Sequence, residues 1–325
     1  MFLCGAVIDE EFTKTAYIWF DGSFVPWHEA KVHVFTHALH YGTGIFEGLR
    51  FYESGSQDGN VYIFRLEDHI KRFFYGAKVY FIEIPFTPQE LMEAVVETVT
   101  KNNLHCTGYI RPIVFYGYGK FGLNPIGLPV HTIIITLPFG RYLGEKAIKE
   151  GIHCCISSWE RISPRALPTT VKATGNYANS VLARFDAINN GFNETILLDH
   201  RGFVCEGSGE NIFCIRYLEE KTEIHTPPIY ASNLEGITRN TIITLIEKEF
   251  NLKVEEKDIT PGQLYSYDEI FLTGTAGEVT PVTRLEHRLI GDGKSGKLTL
   301  QLQDLYFRIV SGEVEKYKRW LTPVY

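Results

Sequence analysis

Lys172 stands in the run VKATGNYAN, residues 171–179, among small and uncharged neighbours. A lysine acts as nucleophile or base only when part of it is neutral, which requires a desolvated or cationic setting. Val171, Ala173 and Gly175 supply no acid to hold the ammonium charged. The setting permits the chemistry; a solvated surface lysine is the common alternative. Glu206, in CEGSGEN, is flanked by Cys205, Gly207, Ser208 and Gly209, a pattern that predicts a tight turn between strands. A carboxylate there can face a ligand where backbone comes close, or simply decorate a hairpin.

Two stretches suit an anion. Gly236-Ile237-Thr238 leads into a helical pattern, so the first N–H groups and the helix dipole point at whatever sits there. Thr273-Gly274-Thr275-Ala276-Gly277 follows an apolar strand pattern and can form a similar nest of N–H groups. Joined by Arg72 they could grip one phosphate; each is also compatible with a capped turn. Neither matches a P-loop or a dinucleotide fingerprint, which disfavours a nucleoside triphosphate. His33, His37 and His40 recur at i, i+4, i+7, a spacing that can bind zinc on one helix face. No acid or cysteine joins them, and KVHVFTHALHYG equally fits an irregular strand-to-turn segment. The expectation is no metal.

The elements that must carry these residues are legible in outline. TAYIWFDGSFVPW predicts a hairpin about Asp21-Gly22. LEDHIKRFFYGAKVY is helical, with Ile70, Phe73 and Phe74 at helical spacing, and it carries Arg72. Residues 87–103 form a stronger helix, opening on Thr87, Pro88 and Glu90, a capping box. GYIRPIVFYG and HTIIITLPFG are β-branched and strand-like. PFGRYLGEK, residues 138–146, marks a connection between a smaller unit, 1–137, and a larger one, 147–325. Beyond it, GIHCCISSWER is a strand, and ETILLDHRGFVCEGSGENIFCI reads as strand, turn, strand, loop, strand. EGITRNTIITLIEKEF is a helix, SYDEIFLTGTAGEVTPV a strand entering a turn, and LTLQLQDLYFRIVSG a helix that closes the chain. Strands and helices mix without strict alternation, which predicts α+β or mixed α/β layers.

Composition sets the limits. The chain has 325 residues, 44% of them hydrophobic and 22% charged, enough for a large core. A net charge of −7 gives no footprint for nucleic acid. The six cysteines contain no CxxC pair and read as reduced thiols of a cytoplasmic protein. The N-terminal MFLCGAVIDEEF lacks a basic region and does not read as a signal peptide. No apolar run approaches the roughly 18 residues a membrane helix needs.

Taken in order, KVHVFTHALHYGTGIFEGLR, FRLEDHIKRF, YIRPIVF, VKATGNYANS, EGSGENIF, GITR and FLTGTAGEVTPV resemble the class IV aminotransferases of pyridoxal 5′-phosphate fold type IV, most closely the branched-chain amino-acid aminotransferases. The resemblance runs from about Tyr17 to about Gly312. It implies a two-domain fold like that of D-amino-acid aminotransferase, a small N-terminal α/β domain and a larger, β-barrel-like C-terminal one. It implies that Lys172 is the Schiff-base lysine, that Glu206 pairs with the pyridine nitrogen, and that Tyr177 bonds the cofactor's phenolic oxygen. Arg72, Ile237, Thr238 and Thr275 fall at the phosphate-binding positions. Tyr109, with the backbone of Thr275 and Ala276, would hold the substrate α-carboxylate. Arg111 would take the side-chain carboxylate of glutamate. Phe46, Phe139, Tyr142 and Tyr177 would line the side-chain pocket, and Tyr41 and Leu123 would reach it from a partner subunit. The implied reaction moves an amino group between leucine, isoleucine or valine and 2-oxoglutarate by a ping-pong course, in a homodimer at least, with a hexamer as the larger assembly among relatives. A D-amino-acid or (R)-amine aminotransferase, or a pyridoxal phosphate lyase, is the alternative; Tyr109-Ile110-Arg111 favours the L-branched-chain pattern.

Four positions depart from that pattern. Phe139 stands where tryptophan is frequent, and Arg141 enters an apolar stretch, either facing solvent or favouring acidic substrates. Glu235 replaces a usual proline, a change expected to loosen the turn before the phosphate-binding helix. Thr174 replaces a common glycine.

Overall fold

Asp21 takes a positive φ of 47° and Gly22 one of 90°, closing the turn between β1 (Tyr17–Phe20) and β2 (Ser23–Pro26). The computed structural model describes residues 15–56 and 58–325; the N-terminal run and Cys4 lie outside them. After the hairpin come β3 (Gly44–Phe46), β4 (Leu49–Glu53), β5 (Val61–Phe64), β6 (Gly108–Tyr116) and β7 (Val130–Pro138). The second half supplies β8 (Ile152–Glu160), β9 (Glu194–Leu198), β10 (Val204–Gly207), β11 (Asn211–Tyr217) and β12 (Thr222–Thr226). It continues with β13 (Val254–Glu256), β14 (Glu269–Gly274), β15 (Glu278–Leu285), β16 (Arg288–Leu289) and β17 (Leu321–Pro323). The helices are α1 (His37–Tyr41), α2 (Leu66–Val79), α3 (Pro88–Lys101), α4 (Glu145–Glu150), α5 (Tyr177–Asn189), α6 (Ile237–Glu249), α7 (Pro261–Leu264) and α8 (Lys297–Val310).

Two sheets result, as mixed α/β layering predicts. The first runs β17-β5-β4-β6-β7-β1-β2, with β3 also on β6, and its pairs are antiparallel. The second runs β10-β9-β8-β15-β14-β11-β12-β13, with β16 on β15; β8 pairs parallel with both β9 and β15. The helix α8 therefore does not close the chain. A 3-10 turn, Glu315–Trp320, leads to β17, which returns to pair with β5 of the first sheet.

One core packs α2 and α3 on the first sheet through Ile70, Phe73, Leu91, Val95, Leu49 and Ile110. Thr87 starts α3 as its sequence predicts: Glu90 N–H donates to Thr87 Oγ1 at 3.2 Å, and Thr87 N–H donates to the Glu90 carboxylate at 2.7 Å. A second core joins α6 and α8 to the second sheet through Ile242, Leu245, Leu302, Phe213 and Phe271. From Gly108 to Val114 of β6, burial alternates with period two, so Ile110 faces the core while Tyr109 and Arg111 share the other face.

Candidate active site

The segment carrying Lys172 is an irregular extension of the first sheet. Phe46 N–H donates to the Lys172 carbonyl at 3.0 Å, and Ala173 bridges Ile45 antiparallel. Thr174 resolves one departure noted above: its hydroxyl donates to the carbonyls of Gly42 (2.9 Å) and Gly44 (3.2 Å), tying the lysine loop to the start of β3. From there the Lys172 side chain meets Tyr177, the first residue of α5. Nζ donates to Tyr177 Oη at 2.5 Å and lies 4.8 Å from the ring centroids of both Phe46 and Tyr177. Burial, reinforced by the Arg72 guanidinium, lowers the amine to about 8, with Glu47 opposing. A neutral amine is thus reachable near physiological pH, the condition that a nucleophilic lysine requires. Burial, with Glu206 adding, pushes the Tyr177 hydroxyl up, so it stays protonated.

A cavity of about 260 Å³ opens around this pair, lined by Phe46, Arg72, Tyr109, Arg111, Tyr142, Glu206, Ile237, Thr238, Thr275 and Ala276 among others. Lys172 and Tyr177 line it too. A larger, open cleft of about 1060 Å³ along Tyr217, Asp268 and Arg308 contains none of the predicted residues.

At one end of the cavity, Arg72 reaches in from α2. Its Nε and Nη2 donate to the Glu47 carboxylate at 2.7 and 2.9 Å, and Nη1 donates to the Glu235 carbonyl at 2.8 Å. The turn that Glu235 was expected to loosen is therefore held through its own backbone. His69 Nδ1 and Gly48 N–H also bond Glu47, at 2.8 and 3.2 Å. Burial alone would raise the Glu47 carboxyl; Arg72 and His69 outweigh it and hold it well below the usual range. Beside Arg72, α6 begins with no side-chain cap. Gly236 precedes it because a Cβ there would collide with Asn211 Oδ1. Bare helix N–H groups beside a buried arginine form an anion cradle.

At the other end stands Glu206. It lies within β10, as the third residue of Val204–Gly207, and not in the predicted turn, which is formed by the residues after it. Its Oε1 is 2.8 Å from Arg161 Nε, and its Oε2 accepts from Leu234 N–H (3.1 Å) and Asn211 Nδ2 (3.3 Å). Burial raises its carboxyl above the usual range, with Arg161 pulling the other way. An acid so placed gains from one more cationic N–H donor.

Across β6, Arg111 Nη2 donates to Tyr109 Oη at 2.8 Å, and its guanidinium lies 4.5 Å from the Phe46 ring centroid. Arg111 Nε is buried with no hydrogen-bond partner. Gly48 is required opposite it, since a Cβ there would overlap Tyr109 Oη.

Phe139 is not brought into the lining, and Tyr41 and Leu123, expected from a partner subunit, lie outside this chain's own cavity. Phe139 stands behind the wall, its ring 5.4 Å from that of Tyr109 and 6.4 Å from that of Tyr142. Tyr41 is exposed at the end of α1, and Leu123 is 81% exposed. The histidine row falls apart: His37 is buried, bonding Thr43 Oγ1 and the Gly122 carbonyl, while His40 bonds the Val34 carbonyl. Among the described residues no group of three His, Cys, Asp or Glu can hold a metal ion.

Sequence reasoning missed Glu47, His69, Arg161, Asn211 and Glu210. Glu210 lines the cavity, and burial with Glu194 pushes its carboxyl up. For Glu47 a signal existed, an acid inside the apolar run GIFEGL. Arg161 gave none, because its partner lies far along the chain.

Residues 44–285 match the family described as Amino-transferase class IV. The branched-chain-amino-acid aminotransferase of Salmonella typhimurium is 43% identical over 312 residues, 96% of this chain and 98% of that protein. The crystal structure of the Escherichia coli branched-chain amino acid aminotransferase superposes with a TM-score of 0.91 at 41% identity, covering 96% of this chain and 100% of that one. The Thermobaculum terrenum branched-chain amino acid aminotransferase, solved in its PLP form, superposes with a TM-score of 0.89 at 35% identity, covering 96% and 99%. With a family match over most of its length and relatives similar from end to end, the chain belongs to the class IV aminotransferases.

Proposed function

We propose that the protein is a pyridoxal 5′-phosphate-dependent aminotransferase that exchanges amino groups between leucine, isoleucine or valine and 2-oxoglutarate by a ping-pong course. The observation that carries this reading is the meeting, in one cavity, of a desolvated Lys172, a cationic end at Arg72 and an acidic end at Glu206.

The residues fit the cofactor. Arg72, the N–H groups of Ile237 and Thr238 and the turn at Thr275 suit a phosphate; Glu206 suits a protonated ring nitrogen; Tyr177 suits the phenolic oxygen. When bound, pyridoxal phosphate supplies the electron sink for bonds at the substrate Cα. Lys172 would hold it and, as a neutral amine, would take the proton leaving Cα. As a carboxylate Glu206 would keep the ring nitrogen protonated, and Arg161 behind it opposes the upward pull of burial on that carboxyl. Tyr109 Oη with the backbone of Thr275 and Ala276 holds the α-carboxylate. Arg111, whose buried Nε lacks a partner, receives the side-chain carboxylate of glutamate. The rings of Phe46, Tyr142 and Tyr177 suit a branched aliphatic side chain, with Phe139 buttressing Tyr109.

In the same reading the chain divides at 138–146 into a small unit, 1–137, and a large unit, 147–325, and works in the cytoplasm as a homodimer or a larger assembly. Tyr41 and Leu123 then reach a partner's pocket. Supporting this, Leu123 is 81% exposed amid Val34 at 74% and Phe121 at 75%, an apolar surface suited to burial between copies. Sedimentation equilibrium tests it; a monomer would end the partner-subunit assignment.

The decisive test is a panel of L-leucine, L-valine, D-alanine and (R)-1-phenylethylamine, each with 2-oxoglutarate. Transfer from the L-acids is expected. Transfer confined to the D-acid or the amine would overturn the reading. Borohydride reduction of the loaded protein should mark the peptide containing Lys172 alone.

A further inference from the structure

Arg50 and Arg141 lie outside the roles just described, yet they converge on one buried acid. Arg50, in β4, is 1% exposed, and Glu278, the first residue of β15, is 0% exposed. Arg50 Nε faces Glu278 Oε1 at 3.9 Å, an ion pair too long for a hydrogen bond. Arg141, in the connection after β7, donates from Nη1 to Glu278 Oε2. Its guanidinium also lies 3.9 Å from the Phe307 ring centroid on α8, so it is engaged on two sides.

The rest of Arg50 binds backbone. Nη2 donates to the carbonyls of Phe139 and Gly140, both at 2.9 Å, and Nη1 reaches the Ala276 carbonyl at 3.4 Å. The Phe139 and Tyr52 rings flank its guanidinium at 5.4 Å each. One side chain of the first sheet thus fixes carbonyls in the connection and in the turn before β15. Glu278 itself has φ +53°, a left-handed conformation sparsely populated by residues other than glycine. Such a backbone persists where its surroundings over-determine it, and two arginines on its carboxylate do so.

We infer that Arg50, Glu278 and Arg141 form a latch that holds the connection 138–144 against the turn 274–278, positioning the wall of the substrate pocket. The connection carries Tyr142, which lines the cavity, and Phe139, which backs Tyr109. The turn carries Thr275 and Ala276, whose backbone is assigned to the substrate α-carboxylate. Arg141 is a positioning residue: its charge is committed to Glu278, so it does not select acidic substrates. The inference rests on the proposed substrate reading for its kinetic part only.

The test uses cofactor-loaded protein carrying Arg141→Ala, Glu278→Gln or both. Amide exchange of residues 138–144, followed by mass spectrometry without substrate, is expected to rise about tenfold in Arg141→Ala. KM for leucine and for glutamate should rise together by about tenfold, with kcat within about twofold. Arg141→Lys should restore most of the loss. The double variant should lose no more than Glu278→Gln alone, because the three side chains act as a unit. Unchanged exchange in Arg141→Ala, or losses that add in the double variant, would overturn the latch. So would a KM rise confined to glutamate, which would make Arg141 a recognition residue. If the unsubstituted protein transfers no amino group while exchange still responds, the latch stands and the substrate reading falls.

Discussion

Two buried arginine–glutamate pairs flank the cavity, and they face opposite ways. At one end Arg72 lines the cavity and Glu47 stands behind it; at the other Glu206 lines the cavity and Arg161 stands behind. Each pair is local to one sheet: Glu47 follows β3 and Arg72 rides on α2, whereas Arg161 follows β8 and Glu206 lies in β10. The partners behind solve the same problem, because a lone buried charge is costly and a paired one far less so. They leave different residues in front. Glu47, with Arg72 twice and His69 once, is driven below the usual range, while Glu206, with burial prevailing, sits above it. The site therefore presents a cation at one end and an acid at the other, each with an opposite charge behind it. That polarity fixes the direction in which a ligand with a phosphate and a cationic ring can lie.

Reversing the acidic end is the strongest test of this contrast. Glu206→Lys should reduce kcat for leucine by about 10⁴-fold and Glu206→Gln by about 10²-fold, measured on cofactor-loaded protein. Equal losses would mean that the sign of the charge there is immaterial. At the cationic end, Glu47→Gln leaves Arg72 without its charged partner and should weaken cofactor binding by about 2 kcal/mol, roughly 30-fold, in an absorbance titration. An unchanged dissociation constant would reduce Glu47 to packing.

Between the two ends, acetylation of Lys172 in cofactor-free protein should reach half its maximal rate at about pH 8, where a free lysine would need 10.5. The sign follows from the reacting form: only neutral amine is acylated, and a lowered pKa makes it neutral at lower pH. Glu47→Gln removes a nearby negative charge and should move that midpoint lower still. Thr87→Ala is the remote control. It removes the cap of α3 and should cost about 1 kcal/mol in urea unfolding, with cofactor affinity unchanged.

How much of this is readable from the sequence depends on how far apart the interacting residues lie. The cap at Thr87, the Asp21-Gly22 turn and the strand character of β6 are local, and the sequence announces each. Lys172 and Glu206 are legible as chemical types, but local residues leave both open until the ordered fragments are considered together. Arg161 is invisible, since its pairing with Glu206 follows from the register that sets β8 beside β9 and β9 beside β10. Arg141 stays open in the sequence for the same reason: its hydrogen-bond partner Glu278 lies far along the chain. Placing Glu206 in a turn fails because the strand runs on through Gly207 and the bend falls at residues 208–210.

The return of β17 to β5 bears on how the molecule is made. Leu321 pairs with Phe64 and Pro323 with Tyr62, so one edge of the first sheet is completed by residues synthesised long after β5. During synthesis that edge offers unpaired backbone donors and acceptors to any neighbouring nascent chain. The N-terminal half can collapse early, but its sheet cannot be sealed until residues 321–323 have been made. A tag or truncation at Leu321–Pro323 therefore acts first on yield and aggregation, and only afterwards on catalysis.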